Sequence, residues 1–217
     1  MIALAPEGRP FINVGGALIA ALLLLWWAWP GWPTLVLLAI GLLLFAWLLA
    51  FFRDPAREGP RGDRVIIAPA DGRVCSIADV DEHMYLHGKT TRVSIFMNVF
   101  NVHVNRYPVS GEIEVVHYNP GEFLNAVLDQ AALVNESSSV GIRGPRGPVL
   151  VRQVAGLVAR RIVTDGQPGD TAQQGERMGM IRFGSRVDVF LAPGTPLRVA
   201  LGDTVYAGTT VIAEYAS

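Results

Sequence analysis

Three short stretches carry residue types beyond what a packed core needs: Pro69-Ala70-Asp71-Gly72-Arg73, Asn101-Val102-His103-Val104-Asn105-Arg106 and Ile181-Arg182-Phe183-Gly184-Ser185-Arg186-Val187-Asp188. In the last, a serine directly follows a glycine, which offers no side-chain obstruction and tolerates strained backbone geometry. The Ser185 hydroxyl can then attack its own preceding peptide bond at Gly184. The acyl group shifts from N to O to give an ester, and elimination at Ser185 breaks the chain, leaving a dehydroalanine that hydrolyses to a pyruvoyl group. Such an attack needs a base to take the hydroxyl proton and a group to orient that base, roles for which His103 and Asp71 are available. Ordinary readings stand beside this one. Asp-Gly is a common turn, and a Gly-Ser pair alone carries little information. Around His103, Phe100, Val102 and Val104 alternate with Asn101, His103 and Asn105, so a period of 2 puts the amides and the imidazole on one strand face. A solvent-exposed edge strand with an incidental histidine has the same pattern.

The counts remove other chemistries. A single cysteine, Cys75, makes neither an internal disulfide nor a Cys-rich zinc site, and the four histidines lack HExxH spacing, so no metal is expected. Lys89 is the only lysine, in His87-Gly88-Lys89-Thr90-Thr91 without an upstream glycine loop, and reads as a turn residue. A net charge of −1 with 51% hydrophobic and 17% charged residues leaves no basic footprint for nucleic acid and is too apolar for a disordered chain.

The elements that must position these residues fall into two parts. From Pro10 to Phe52 there is no Asp, Glu, Lys, Arg or His, and all five tryptophans lie there. Two apolar runs, 11–29 and 34–52, are separated by Pro30-Gly31-Trp32-Pro33, which predicts a helical hairpin through the bilayer within residues 1–52. A cleaved signal peptide is disfavoured by the paired runs, while a hairpin that only enters one leaflet remains a rival. Arg9 before the first run and Arg53, Arg57, Arg61 and Arg64 after the second put both ends in the cytoplasm. Residues 53–64 read as a charged, Pro/Gly-rich linker, and 65–217 as one domain. There β-branched stretches recur at Val65–Ile67, Arg73–Ile77, Arg92–Phe96, Val99–Val104, Glu112–His117, Val149–Val154, Ala159–Val163, Arg186–Leu191 and Leu197–Leu201. Phe123–Val134 has helical periodicity, and Asn135–Pro148 reads as an exposed loop. Gly111-Glu112-Ile113 with Gly121-Glu122-Phe123, and Gly202-Asp203-Thr204-Val205 with Gly208-Thr209-Thr210-Val211, echo the hairpin pairs of lipoyl-like barrel-sandwich domains. The expected fold is mainly β (α+β): a compact β-rich domain of that kind with one or two helices, preceded by a transmembrane hairpin.

Taken together, MGMIRFGSRVDVFLAPG at 178–194, PADGRV at 69–74, FNVHVNRYPVSGEI at 100–113, NPGEFLNA at 119–126 and VAGLVARRIV at 154–163 resemble the phosphatidylserine decarboxylase proenzymes, specifically their short archaeal-type branch also found in bacteria. The resemblance implies a self-processing membrane enzyme that converts phosphatidylserine to phosphatidylethanolamine and CO2. Cleavage between Gly184 and Ser185 would give a β chain, 1–184, and an α chain, 185–217, that stay together as a heterodimer. Ser185 matches the precursor of the covalent pyruvoyl cofactor, which forms an imine with the substrate amine. Asp71 matches the aspartate that orients the base, and His103 the histidine acting as base and acid. Longer members carry two histidines in that block. Either His103 serves both steps, or Asn101 or Asn105 stands in for the second and meets the substrate. Arg160 or Arg161 could pair with the lipid phosphate, the alternative being surface arginines; neighbours in a strand point to opposite faces, so one at most would reach it. The resemblance further implies the cytoplasmic face of the cell membrane, the bilayer as partner, and is compatible with a homo-oligomer. The reading from a different class is a non-catalytic, membrane-tethered lipoyl-like adaptor module.

Overall fold

The computed structural model describes residues 3–122, 134–156, 161–182 and 184–216. The stretch expected to form a helix at Phe123–Val134 lies, but for Val134, outside them, as does Arg160. The chain divides between Ala56 and Arg57 into two units.

In the first unit, α1 (Arg9–Ala28) and α2 (Trp32–Phe51) lie close to the two apolar runs. At 1.5 Å per residue each helix is about 30 Å long, and both are apolar enough to cross a membrane. Proline ends one helix and opens the next. Pro33 stands in the first turn of α2, where its missing N–H goes unneeded, and the Thr34 hydroxyl donates to the carbonyls of Trp29 (2.9 Å) and Gly31 (3.0 Å). Small residues let the helices approach: a Cβ on Gly15 would meet the Phe45 ring, and one on Gly41 would meet Leu22. The hairpin's open end is clipped by β1 (Ala3–Leu4) pairing antiparallel with β2 (Arg53–Asp54). Of the stretch read as a linker, Arg53 and Asp54 therefore belong to this clip.

The second unit is built from short strands: β3 (Val65–Ile67), β4 (Gly72–Glu82), β5 (Gly88–Met97), β6 (Val104–Arg106), β7 (Gly111–Asn119), β8 (Ser137–Gly144), β9 (Gly147–Ala155), β10 (Ile162–Thr164), β11 (Thr171–Ala172), β12 (Arg177–Ile181), β13 (Ser185–Leu191), β14 (Thr204–Val205) and β15 (Val211–Glu214). Eight of them form one antiparallel sheet, in the order β11-β7-β8-β9-β13-β5-β4-β14, curled into a half-barrel. A three-stranded sheet, β10-β12-β6, and the pair β15-β3 complete the unit. The mainly-β expectation holds. Arg61 bonds the Gly208 carbonyl at 2.7 Å, so the segment read as a linker is tied into this unit as well.

Four expectations are corrected. Asn135–Pro148 is not an exposed loop: Val140 and Ile142 alternate into the core, and Ser137–Ser139 are buried, so the stretch becomes β8, with the turn confined to Gly144–Gly147. Val99–Val104 is a turn up to its last residue, because the Asn98 N–H bonds the Asn101 carboxamide oxygen at 2.8 Å and the Phe100 N–H bonds Asn98 at 2.9 Å, local bonds that compete with a strand ladder. Of Leu197–Leu201, Leu197 alone bridges, to Ala213. Lys89 lies in β5, opposite Asp81, rather than in a turn.

β13 is the centre of the sheet and is buried along its whole length. One face sends Val187, Val189 and Leu191 into the core with Val93, Ile95 and Val151. Arg186 and Asp188 stand on the other face, both 0% exposed, joined by two parallel bonds of 2.8 and 2.9 Å. On the same face the Arg152 guanidinium lies 5.0 Å from the Phe190 ring centre. The β4–β5 connection is shaped by Glu82, whose carboxylate accepts the N–H groups of Met84, Tyr85 and Leu86 at 2.7–2.9 Å. The Tyr85 ring then covers Gly141 of β8, and its hydroxyl donates to Glu114 of β7 at 2.7 Å.

Burial pushes the Glu82 carboxyl up, but the three N–H bonds and Arg152 outweigh it and hold the group below its ordinary value of 4.5. A depressed carboxyl stabilises the fold fully above the unfolded value, and that stabilisation is lost as pH falls through the folded one. Unfolding of the full chain in detergent is therefore expected to become easier below about pH 4.5, and Glu82→Gln to lower stability at neutral pH while flattening that acid dependence. Asp188→Asn, which leaves Arg186 buried without its counter-charge, is expected to cost about 3–5 kcal/mol. Replacing both residues with apolar ones of similar volume should restore most of it in the same denaturation experiment.

Candidate active site

The Ser185 element and the Asp71 element arrive at one end of the large sheet, on β13 and β4, the two strands that flank β5. Ser185 is the first residue of β13, paired with Met97 on β5 and Ala155 on β9. On the next strand Arg73 pairs with Phe96, which brings Asp71-Gly72 up beside Met97. Ser185 and His103 are both 0% exposed, and Asp71 is buried. The His103 carbonyl accepts the Ile181 N–H (3.3 Å), so the histidine is tied to the chain three residues ahead of Gly184.

Gly184 has φ +63°, and a Cβ there would meet nothing within 4 Å. Space does not demand glycine at this position. The left-handed backbone does, because that conformation is strained for any residue with a Cβ. The Ser185 hydroxyl donates to the Met97 sulfur at 3.4 Å, a weak acceptor that leaves the oxygen little restrained.

The Nδ1 atom of His103 lies 3.0 Å from the Asn101 carbonyl oxygen. A carbonyl only accepts, so Nδ1 carries the proton and the neutral ring keeps its lone pair on Nε2, the nitrogen suited to act as base. The group that orients the imidazole is thus a backbone carbonyl. The Asp71 carboxylate, expected in that position, instead accepts from Arg57 Nη2 (2.7 Å) and from the Ala207 N–H (2.8 Å).

The three polar side chains expected on one strand face do not share one. Asn101 is spent on the turn to Asn98, and of the three only Asn105 lies in β6. Asn105 is fully buried and reaches the site: its Nδ2 lies 3.6 Å from the same Met97 sulfur, while its Oδ1 accepts from Gln153 Nε2 at 2.8 Å. Arg161 is exposed, with its carbonyl bonded to the Arg182 N–H at 3.2 Å. Met97 and Gln153 escaped the sequence reading. Met97 ends the apolar run Ser94-Ile95-Phe96-Met97 and looks like core. Gln153 was findable, because in Val149-Leu150-Val151-Arg152-Gln153 it has the parity of Val149 and Val151, where a polar residue calls for an explanation.

Cys75 is poorly placed for chemistry. Burial pushes the Cys75 thiol up from its ordinary value, so it stays protonated at neutral pH, with Sγ 3.5 Å from the Ser94 carbonyl oxygen. Among the described residues, no group of three His, Cys, Asp or Glu side chains could hold a metal ion.

Gly184→Ala is expected to keep the fold and lose about 1 kcal/mol from the left-handed residue, read as a lower melting temperature of the full chain in detergent.

Two comparisons with known proteins bear on this chain. The family model described as phosphatidylserine decarboxylase matches residues 44–213, a span that contains Asp71, His103, Asn105, Gln153, Gly184 and Ser185. The phosphatidylserine decarboxylase proenzyme of Nitrobacter winogradskyi is 49% identical over 215 residues, covering 97% of this chain and 83% of the relative. Neither match bears out the narrower likeness to an archaeal-type branch.

Proposed function

The chain belongs to the phosphatidylserine decarboxylase family, and we propose that it matures by cutting itself between Gly184 and Ser185 and then works as a pyruvoyl-dependent enzyme at the membrane. It is a carboxy-lyase that releases CO2 from phosphatidylserine to give phosphatidylethanolamine in phospholipid metabolism. The family assignment does not favour the tethered adaptor module. The observation that carries the self-cleavage reading is the buried Ser185 hydroxyl next to a glycine held at φ +63°.

In this reading, His103 Nε2 takes the Ser185 hydroxyl proton as the oxygen attacks the Gly184 carbonyl carbon. The Gly184–Ser185 C–N bond breaks, the freed amine takes a proton, and Gly184 is left esterified to Oγ. A base then removes the Ser185 Cα proton, the Cβ–Oγ bond breaks, and Gly184 departs as a carboxylate. Water adds to the dehydroalanine through its imine tautomer, and ammonia leaves. The site fits the product: residue 185 lies in a dry position, against a thioether that makes no demand on a methyl group. A pyruvoyl carbonyl there supplies the electron sink for loss of CO2. His103 is then the donor that reprotonates carbon, and Asn105 the amide nearest the substrate. Asp71 supports the positive charge that His103 acquires, a role for which its bond to Arg57 has to loosen. Arg160 is kept as a candidate partner of the lipid phosphate.

The resulting chains, 1–184 and 185–217, remain one heterodimer. The two apolar helices hold the enzyme in the membrane that contains its substrate, and the arginines that follow α2 favour the cytoplasmic face.

Intact-mass analysis of the denatured full protein is expected to show two species that part at Gly184–Ser185, the smaller one lighter by one ammonia than a serine-started peptide. Ser185→Ala should give one uncut, inactive chain. A single intact mass from active wild-type protein would overturn the reading.

A further inference from the structure

A chain of buried and part-buried hydrogen bonds links Ser138 on β8 to Ser185, and its polarity is fixed at the Met97 end. Ser138 Oγ lies 2.7 Å from Thr164 Oγ1, which donates to Gln153 Oε1 at 3.1 Å. Gln153 Nε2 donates to Asn105 Oδ1 at 2.8 Å, and Asn105 Nδ2 points at the Met97 sulfur, which also receives the Ser185 hydroxyl. A thioether has no proton to give, so the face of Asn105 turned toward it must be the NH2. The Asn105 oxygen then faces Gln153, which must present its own NH2, leaving its oxygen for the hydroxyl of Thr164. Turning both amides over would set a carbonyl oxygen against the sulfur, acceptor against acceptor.

We propose that Gln153 is a positioning residue for self-cleavage: it locks the Asn105 carboxamide so that the NH2 is presented to the oxygen that develops charge at Ser185. The inference rests on the self-cleavage reading above. When the Cβ–Oγ bond breaks in the elimination step, Oγ leaves as part of the Gly184 carboxylate and takes on negative charge, for which the sulfur does nothing. The Asn105 N–H has only that weak acceptor to leave, so it transfers to the charged oxygen at little cost, and the Gln153 bond holds the amide in register throughout. Neither amide titrates, and the side chains around Gln153, namely Asn105 on β6, Thr164 on β10, and Val187 and Ser138 opposite it on β13 and β8, are uncharged.

The test is a change that keeps shape and reverses polarity. In Gln153→Glu the carboxylate only accepts, so Asn105 must turn its NH2 away from residue 185. A carboxyl buried at this site has a raised pKa, and once protonated it can donate to Asn105 again. The full chain, made by cell-free synthesis into lipid vesicles, is followed from one band to two on denaturing gels, with the cut confirmed by mass. Each rate is divided by the wild-type rate at the same pH, which removes the pH dependence that the two proteins share. At about pH 8, Gln153→Glu is expected to cleave on the order of a hundredfold more slowly than wild type, and the deficit to shrink at least tenfold by about pH 5.5. Gln153→Met, similar in volume and without a donor, should be slow at every pH.

A Gln153→Glu protein that cleaves within about threefold of wild type, or whose deficit is the same at all pH values, overturns the proposal. If Gln153→Glu does not fold, judged by protease resistance, Gln153→Met decides: wild-type cleavage in a folded Gln153→Met chain overturns it. A wild-type chain that is never cut removes the self-cleavage reading itself, an outcome separate from a failure of Gln153.

Discussion

A strand with neighbours on both sides and protein on both faces has almost no freedom, and β13 is in that position. Its pairing with β5 and β9 fixes the height of Ser185, and its core face is anchored by Val187, Val189 and Leu191. The opposite face is the demanding one, since two charges, Arg186 and Asp188, are removed from water there. Their two-point bond satisfies each with the other inside a single strand, and the cost of turning this charged pair into the apolar face resists a slip of register. A slip of one residue would turn Ser185 out of the site and put Arg186 into the hydrocarbon core. The placement of Ser185 and the stability of the sheet are therefore one constraint.

Around that fixed point the site is assembled from weak or exchangeable contacts. The Ser185 hydroxyl rests on sulfur, the His103 ring on a backbone carbonyl, and the Asn105 amide on the same sulfur. Strong bonds stand one step further out, at Gln153 to Asn105 and at Arg57 to Asp71. Such an arrangement holds atoms in place without committing their protons and lone pairs, as the proposed conversion of the Ser185 hydroxyl to a nucleophile would require.

Much of this was legible in the residues. The apolar runs, broken by Pro30-Gly31, announced the two helices, and alternating β-branched residues announced most strands of the second unit. Ser185, His103 and Asp71 stood out because their types exceed what packing needs. What stayed hidden depended on tertiary partners. Ser137-Ser138-Ser139 reads as loop because serine is polar and small, yet these serines are buried against Thr164, Arg152 and neighbouring strands. The Asn98–Asn101 turn reads as strand by its alternation, since periodicity cannot see a side chain bonding its own backbone. The partner of Asp71 could not be read either, because Arg57 lies in a stretch whose composition resembles a linker.

The position of Ser185 at the very start of β13 has a mechanical consequence. Residues 182–184 join two different sheets, for β12 ends at Ile181 in one and β13 begins at Ser185 in the other. Severing the chain at this seam would leave the pairings of β13 from Arg186 to Leu191 in place. The 33 residues from Ser185 to Ser217 would keep β13 wedged between two strands, β14 on β4 and β15 on β3, like a key left in a lock after its bow has been snapped off. If the chain is cut as proposed, the covalent link would be lost where the new chain end lies inside a fold that has already set.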